Sequence, residues 1–216
     1  MSSMLGTALR VSIFGESHAP AIGCSIDGMP AGVPLDLDEL QNFLDRRAPG
    51  RDATATTRRE ADRARVLCGV VDGHTTGAPI AAIIENGNTR SQDYDELRRV
   101  PRPGHADYPA RIRYNGFNDV AGGGHFSGRL TAPLCIALQA LAQRGIRIAA
   151  HIANLGPQGI PDTPLNHMEL DAEQLSRLSS HGFPCIDEGA AEAMRACILD
   201  ARNDLDSVGG VIECVA

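Results

Sequence analysis

The stretch Ala8-Leu9-Arg10-Val11-Ser12-Ile13-Phe14 alternates apolar and polar side chains well enough for a β-strand, and it delivers Gly15-Glu16-Ser17-His18 at the strand's end. A second histidine stands in Arg102-Pro103-Gly104-His105-Ala106-Asp107. Each imidazole lies beside a glycine or serine, in a short polar segment where backbone can come close to a ligand. Charged neighbours can tune each ring near neutral pH. These features predict that His18 and His105 meet in one pocket.

Around these words the chain alternates strand and helix signals. Residues 22–26 form a second apolar run, closed by a turn cluster that ends at Pro34. Asp36 is placed to cap a helix, with Glu39 at capping-box spacing; Leu37, Leu40, Phe43 and Leu44 share one face, and Pro49-Gly50 ends it. Residues 51–65, dense in Arg and Thr, predict a loop or flap. Residues 66–71 and 80–84 predict a hairpin joined by the turn at 72–77. From 85 to 124 the chain is polar and rich in Gly and Asn, which predicts mostly irregular structure lining a functional surface. Pro133 in a first turn, with Leu134, Leu138 and Leu141 as an apolar stripe, predicts a helix up to Gly145. A strand over 146–152, helices over 171–179 and 188–201, and a strand over 208–215 complete the pattern. The second of those helices presents Ala191, Met194 and Ile198 to a core. The expected architecture is α+β, an antiparallel sheet with flanking helices. A β-rich run that stops at the last residue is expected to be cut inside a fold.

Composition narrows the function. The chain has 216 residues and 43% hydrophobic content, enough for a sizeable core, and no apolar run of membrane-spanning length. No secretory leader pattern stands at the start. Cys24, Cys68, Cys135, Cys185, Cys197 and Cys214 are scattered with no CxxC pair, which predicts reduced, buried thiols in a cytoplasmic protein and no zinc site. A formal charge of −7 argues against nucleic acid as a partner. Every basic residue is arginine, so lysine Schiff-base and P-loop chemistry are excluded, whereas bidentate recognition of phosphate and carboxylate is well supplied.

Several words occur in a telling order: Phe14-Gly15-Glu16-Ser17-His18, Asp45-Arg46-Arg47 with Pro49-Gly50, Arg58-Arg59-Glu60, Gly77-Ala78-Pro79-Ile80, Arg90-Ser91-Gln92-Asp93-Tyr94, residues 102–108, and Asp206-Ser207-Val208-Gly209-Gly210. This set closely resembles chorismate synthase, along essentially the whole chain but over only about 60% of that family's usual length. The resemblance implies a layered β-α-β sandwich, here lacking its C-terminal part, in a single domain over residues 1–216. It implies conversion of 5-enolpyruvylshikimate 3-phosphate to chorismate and phosphate by 1,4-anti elimination, with reduced FMN as cofactor, NADPH as a source of flavin reduction, and a homotetramer. His18 resembles the histidine that protonates the departing phosphate, and His105 the one that serves the flavin. Ser17, Arg47, Arg102 and Arg129 match substrate-binding positions. His125, Phe126, Ser127 and again Arg47 fall at cofactor-binding positions.

The sequence also departs from the family. Ala19 replaces a glycine after the first histidine word, and the triple-arginine run reads Arg46-Arg47-Ala48. A second ligand-binding arginine falls on Ala53, with Arg51 two positions away. In the glycine-rich stretch 121–130, only Ser127 and Arg129 keep the family's polar contacts; His125 and Phe126 take the first two flavin positions. An alternative is therefore a degenerate relative that binds an anionic ligand, or assembles with a partner, without turnover. A metal hydrolase built from His18, His105 and His125 with Asp107 or Asp119 is a weaker alternative, because no HxH or HxxxH pair is present.

Overall fold

The computed structural model describes residues 3–48, 54, 61–87, 94, 96–143, 145–146, 148–165, 178 and 183–216. They fall into two compact units, Met1–Ala48 with Arg59–Arg144, and Pro49–Arg58 with Gly145–Ala216.

The first unit is built on β1 (Met4–Leu5), β2 (Arg10–Gly15), β3 (Ala21–Asp27), α1 (Leu37–Arg47) and β4 (Ala64–Cys68). A small ribbon of β5 (Val70–Val71) and β6 (His74–Thr75) leads to β7 (Ile80–Glu85). The large sheet is antiparallel throughout, in the order β1-β2-β3-β7-β4. Its register places Ile22 opposite Ile84, Cys24 opposite Ala82 and Ile26 opposite Ile80, so the period-2 alternation puts all six on one buried face. Beyond the sheet come α2 (Asp107–Arg113) and α3 (Thr131–Ala142). Leu40 and Leu44 of α1, with Ala132, Ile136, Ala137 and Ala140 of α3, complete the core over that face. Each fully buried Leu or Ile contributes about 1.5–3 kcal/mol.

Asp36 caps α1 as expected, its carboxylate accepting from the backbone N–H groups of Asp38 and Glu39 at 2.9 Å. Leu37, expected on the apolar face, is instead exposed, because the first turn lies beyond the edge of the core. The hairpin forms as β4 and β7, with a bulge between Val66 and Cys68 and the β5–β6 ribbon at its tip. One expectation needs correction. The stripe Leu134-Leu138-Leu141 does not define the buried face of α3, since Leu138 is exposed and the core contact is made by alanines with Ile136. The helix is apolar on nearly every side, so periodicity selects no face, and small residues win where the helix approaches the sheet. Residues 85–124 hold little regular structure among those described, as expected, but they do include α2, with Asp107 in its first turn and Arg111 and Arg113 in its last, charges that complement the helix dipole.

The second unit contains β8 (Ala149–Leu155), β9 (Ile160–Pro161), α4 (Glu188–Asn203) and β10 (Gly210–Val215), its strands antiparallel in the order β10-β8-β9. The strand expected over 146–152 therefore sits three residues later. Asp187 caps α4 through Ala190 N–H at 2.7 Å. Ala191 and Met194 pack with Leu155, Phe183 and Cys185, as the sequence pattern of that helix requires. The helix expected over 171–179 lies outside the described residues except Leu178, as do Pro49-Gly50, Arg51, Ala53, Arg58-Arg59-Glu60 and 90–93.

All six cysteines are free. Burial pushes the Cys24 and Cys185 thiols up to about 12. Cys68 and Cys214 are exposed, contrary to the expectation of buried thiols, because each sits on a sheet-edge strand. Among the described residues no helix is long and apolar enough to cross a membrane.

Candidate active site

The site lies in the first unit, where β2 ends and the chain turns through residues 16–19. Asn86, just after β7, holds that turn: its side-chain N–H groups donate to the carbonyls of Glu16 at 3.1 Å and Ala19 at 2.7 Å. Ser17 is wholly buried, and its backbone N–H donates to Gly124 O at 3.1 Å. Gly122 and Gly123 take φ values of 57° and 86°, a left-handed backbone that favours glycine. A Cβ on Gly122 would lie 2.2 Å from His18 Cε1 and 2.3 Å from its Nδ1. A Cβ on Gly123 would lie 2.5 Å from His105 Cε1 and 2.8 Å from its Nε2. The two imidazoles therefore pack on consecutive residues of one loop, and a side chain at either position would evict one of them.

Their surroundings differ. The His18 ring meets Tyr94 edge-on, with centroids 5.1 Å apart, and its Nδ1 is buried with no hydrogen-bond partner among the described residues. His105 Nδ1 lies 2.9 Å from Asp107 Oδ1, at ion-pair distance but not aligned for a hydrogen bond. The same carboxylate accepts from Arg102 Nε at 2.8 Å, Nη2 at 3.1 Å and backbone N–H at 3.1 Å. Those bonds from Arg102, aided by the charge of His105, hold the Asp107 carboxyl down at about 2, while the carboxylate raises the Arg102 guanidinium.

Arg47 and Arg129 converge on Asp62. Arg47 reaches Oδ2 from the last turn of α1, and Arg129 reaches Oδ1 from the short turn before α3. Arg47 also donates to Thr131 Oγ1 and Gly128 O, both at 3.3 Å, and Arg129 Nε donates to Asn86 Oδ1 at 2.9 Å. A chain of polar contacts thus runs from the residue 16–19 turn through Asn86, Arg129 and Asp62 to Arg47. Neither Asp62 nor Asn86 stands out in the sequence. Asp62 sits in an Arg-rich stretch with no apolar period, and its partners are supplied by distant elements.

The remaining candidates have internal roles. His125 Nδ1 lies 2.9 Å from Gly15 O, which can only accept, so Nδ1 carries the hydrogen; Nε2 lies 2.8 Å from Ser3 Oγ. Phe126 packs against Tyr114, with centroids 6.1 Å apart. Ser127 Oγ accepts from Arg129 N–H at 3.3 Å and caps the turn. A cleft of about 320 Å³ is lined by Glu16, Tyr114, Phe117, Asp119, His125 and Phe126 among others. A second, of about 480 Å³, is bordered by Glu16, Arg98, Asp107, Arg111, Phe117 and Asp119 among others. No group of three or more His, Cys, Asp or Glu side chains suited to a metal gathers among the described residues, and both His125 nitrogens are engaged.

The first unit thus combines an antiparallel sheet and helices with two imidazoles on one glycine loop and a pair of arginines on a shared carboxylate. Residues 9–216 match the chorismate synthase family, and the chain belongs to it. The chorismate synthase of Lancefieldella parvula is 44% identical over 231 residues, covering 100% of this chain and 60% of that protein. That of Thermococcus kodakarensis is 44% identical over 217 residues, covering 99% and 58%. A crystal structure of a chorismate synthase, 23% identical, aligns with a TM-score of 0.65 over 96% of this chain and 58% of its own, which shows the fold. The chain spans 58 to 60% of the length of these relatives.

Proposed function

We propose that this chain carries the substrate-side groups of a chorismate synthase, an FMN-dependent carbon–oxygen lyase that converts 5-enolpyruvylshikimate 3-phosphate to chorismate and phosphate. The observation that carries this reading is the seating of His18 and His105 on Gly122 and Gly123, close to an arginine network. In the 1,4-anti elimination the phosphate departs with the C–O electron pair while a ring proton is lost. His18 is the general acid: a protonated imidazole delivers its proton to a phosphate oxygen as the bond breaks. Arg47, Arg102 and Arg129, with Ser17, bind the anionic substrate. Each guanidinium has five N–H donors, so one can hold its carboxylate partner and still donate to a phosphate.

The family implies reduced FMN, which would supply the electron-rich partner for this elimination. The described residues do not by themselves make its site. Phe126, Tyr114 and Phe117 suit a planar ring, but both His125 nitrogens are engaged within the chain, and Ser127 and Arg47 are each partly engaged there. Reduced FMN therefore enters as a requirement of the reaction, with no step assigned to it, and His105 is the histidine proposed to serve it. NADPH-driven flavin reduction, a homotetramer, a cytoplasmic location and one domain over both units complete the proposal.

One observation favours a second reading, a relative that binds the anion or a partner without turnover: Arg47, Arg102 and Arg129 already hold carboxylates. Calorimetric titration with 5-enolpyruvylshikimate 3-phosphate, followed by turnover with photoreduced FMN, separates the two. The first reading expects binding and turnover, with His18→Gln slowing turnover by about 10²–10⁴-fold. Binding without turnover selects the second, and no binding rejects the first and leaves of the second only a relative that assembles with a partner.

A further inference from the structure

We infer that Asp62, together with Asn86, is a positioning residue that locks Arg47, Arg129 and the turn bearing Ser17 and His18 into one unit; this rests on the role proposed above for those residues. Asp62 is 2% exposed, yet it gives each of its two oxygens to a different guanidinium, one from each side of the site. Its backbone takes φ 43°, a left-handed conformation uncommon outside glycine and best tolerated by Asn and Asp. A residue in that backbone, with its carboxylate buried, persists only where its surroundings hold it there. Two guanidiniums brought together, Arg129 buried and Arg47 partly so, need a counter-charge, and Asp62 supplies it. Asn86 extends the arrangement: one carboxamide accepts from Arg129 and donates to both carbonyls of the His18 turn. The arginine pair and the general acid therefore share a single scaffold of side chains.

Two kinds of effect are distinguishable. If Asp62 served only as a charge, removing it would leave more net positive charge and tighten anion binding. As a positioning residue, its loss loosens both guanidiniums and weakens binding. The test uses Asp62→Asn in the whole chain. It reads exchange of the arginine Nε–H groups by ¹⁵N NMR and the Kd for 5-enolpyruvylshikimate 3-phosphate by calorimetry, with Arg102 as internal reference. The expected result is faster exchange at Arg47 and Arg129 together, Arg102 unchanged, and a Kd raised by about tenfold or more. Unchanged exchange at both arginines, or a tighter Kd, overturns the inference. Faster exchange in a chain whose wild type binds no substrate supports the scaffold and rejects the function proposed above. Should Asp62→Asn fail to fold, Asn86→Ala takes its place. It is expected to speed exchange at Arg129 Nε–H and at the Ser17 amide while leaving Arg47 alone, and protection at both of the first two overturns the inference.

Discussion

His151 in the second unit is a wholly buried imidazole and His18 in the first a half-buried one, and only the first has both nitrogens engaged. His151 is wholly buried, with Nδ1 2.7 Å from Asp162 Oδ2 and Nε2 2.9 Å from Glu213 Oε2. Both carboxylates are themselves anchored. Asp162 accepts from Ile186 N–H at 2.7 Å and Asp187 N–H at 2.9 Å, and Glu213 accepts from Leu165 N–H at 2.7 Å. Burial pushes the Asp162 carboxyl up, but those backbone bonds and His151 outweigh it and the net shift is downward. This histidine ties β8 and β10 to the segment after β9 and has no nitrogen left for a ligand. His18 keeps Nδ1 without a partner among the described residues, in a loop shaped by glycines. The engaged nitrogens of His151 fit a structural role, and the unpartnered Nδ1 of His18 fits the role proposed for it above.

The largest expected effect sharpens that contrast. His151→Leu leaves two buried-side carboxylates facing each other and should cost about 3 kcal/mol in denaturant unfolding. A loss below about 1 kcal/mol would break the contrast from the second unit. Next is the Arg102–Asp107 pair beside His105. A folded pKa of about 2 against an ordinary carboxyl value makes this pair stabilising above the unfolded pKa of ~3.9, by about 2 kcal/mol. That contribution fades as pH falls from about 4 towards 2. Asp107→Asn should remove it at neutral pH and flatten the acid limb of stability; a carboxyl NMR titration with its midpoint near 4 would contradict this. At the small end, His18→Leu, which discards no hydrogen bond from Nδ1, should change stability by less than about 1 kcal/mol in denaturant unfolding.

What could be read from the sequence was local. The α1 cap needs only Asp36 and the next turn, and the β3–β7 core follows from alternation within each strand. The words around His18 and His105 pointed to their meeting, but their seating on Gly122 and Gly123 was not legible, because a distant loop makes it. The rest depends on partners far apart in the chain. Asp62 finds Arg129 67 positions away, and Glu213 finds His151 62 positions away, so no spacing rule announces either. The α3 face was hidden for another reason: an all-apolar helix has no period to read.

The central claim is that His18 and His105 rest on neighbouring glycines. Nuclear Overhauser contacts in the folded chain test it most directly. Strong cross-peaks are expected from Gly122 Hα to the His18 ring and from Gly123 Hα to the His105 ring. A well-folded chain that shows neither, with the two rings in separate environments, would contradict it.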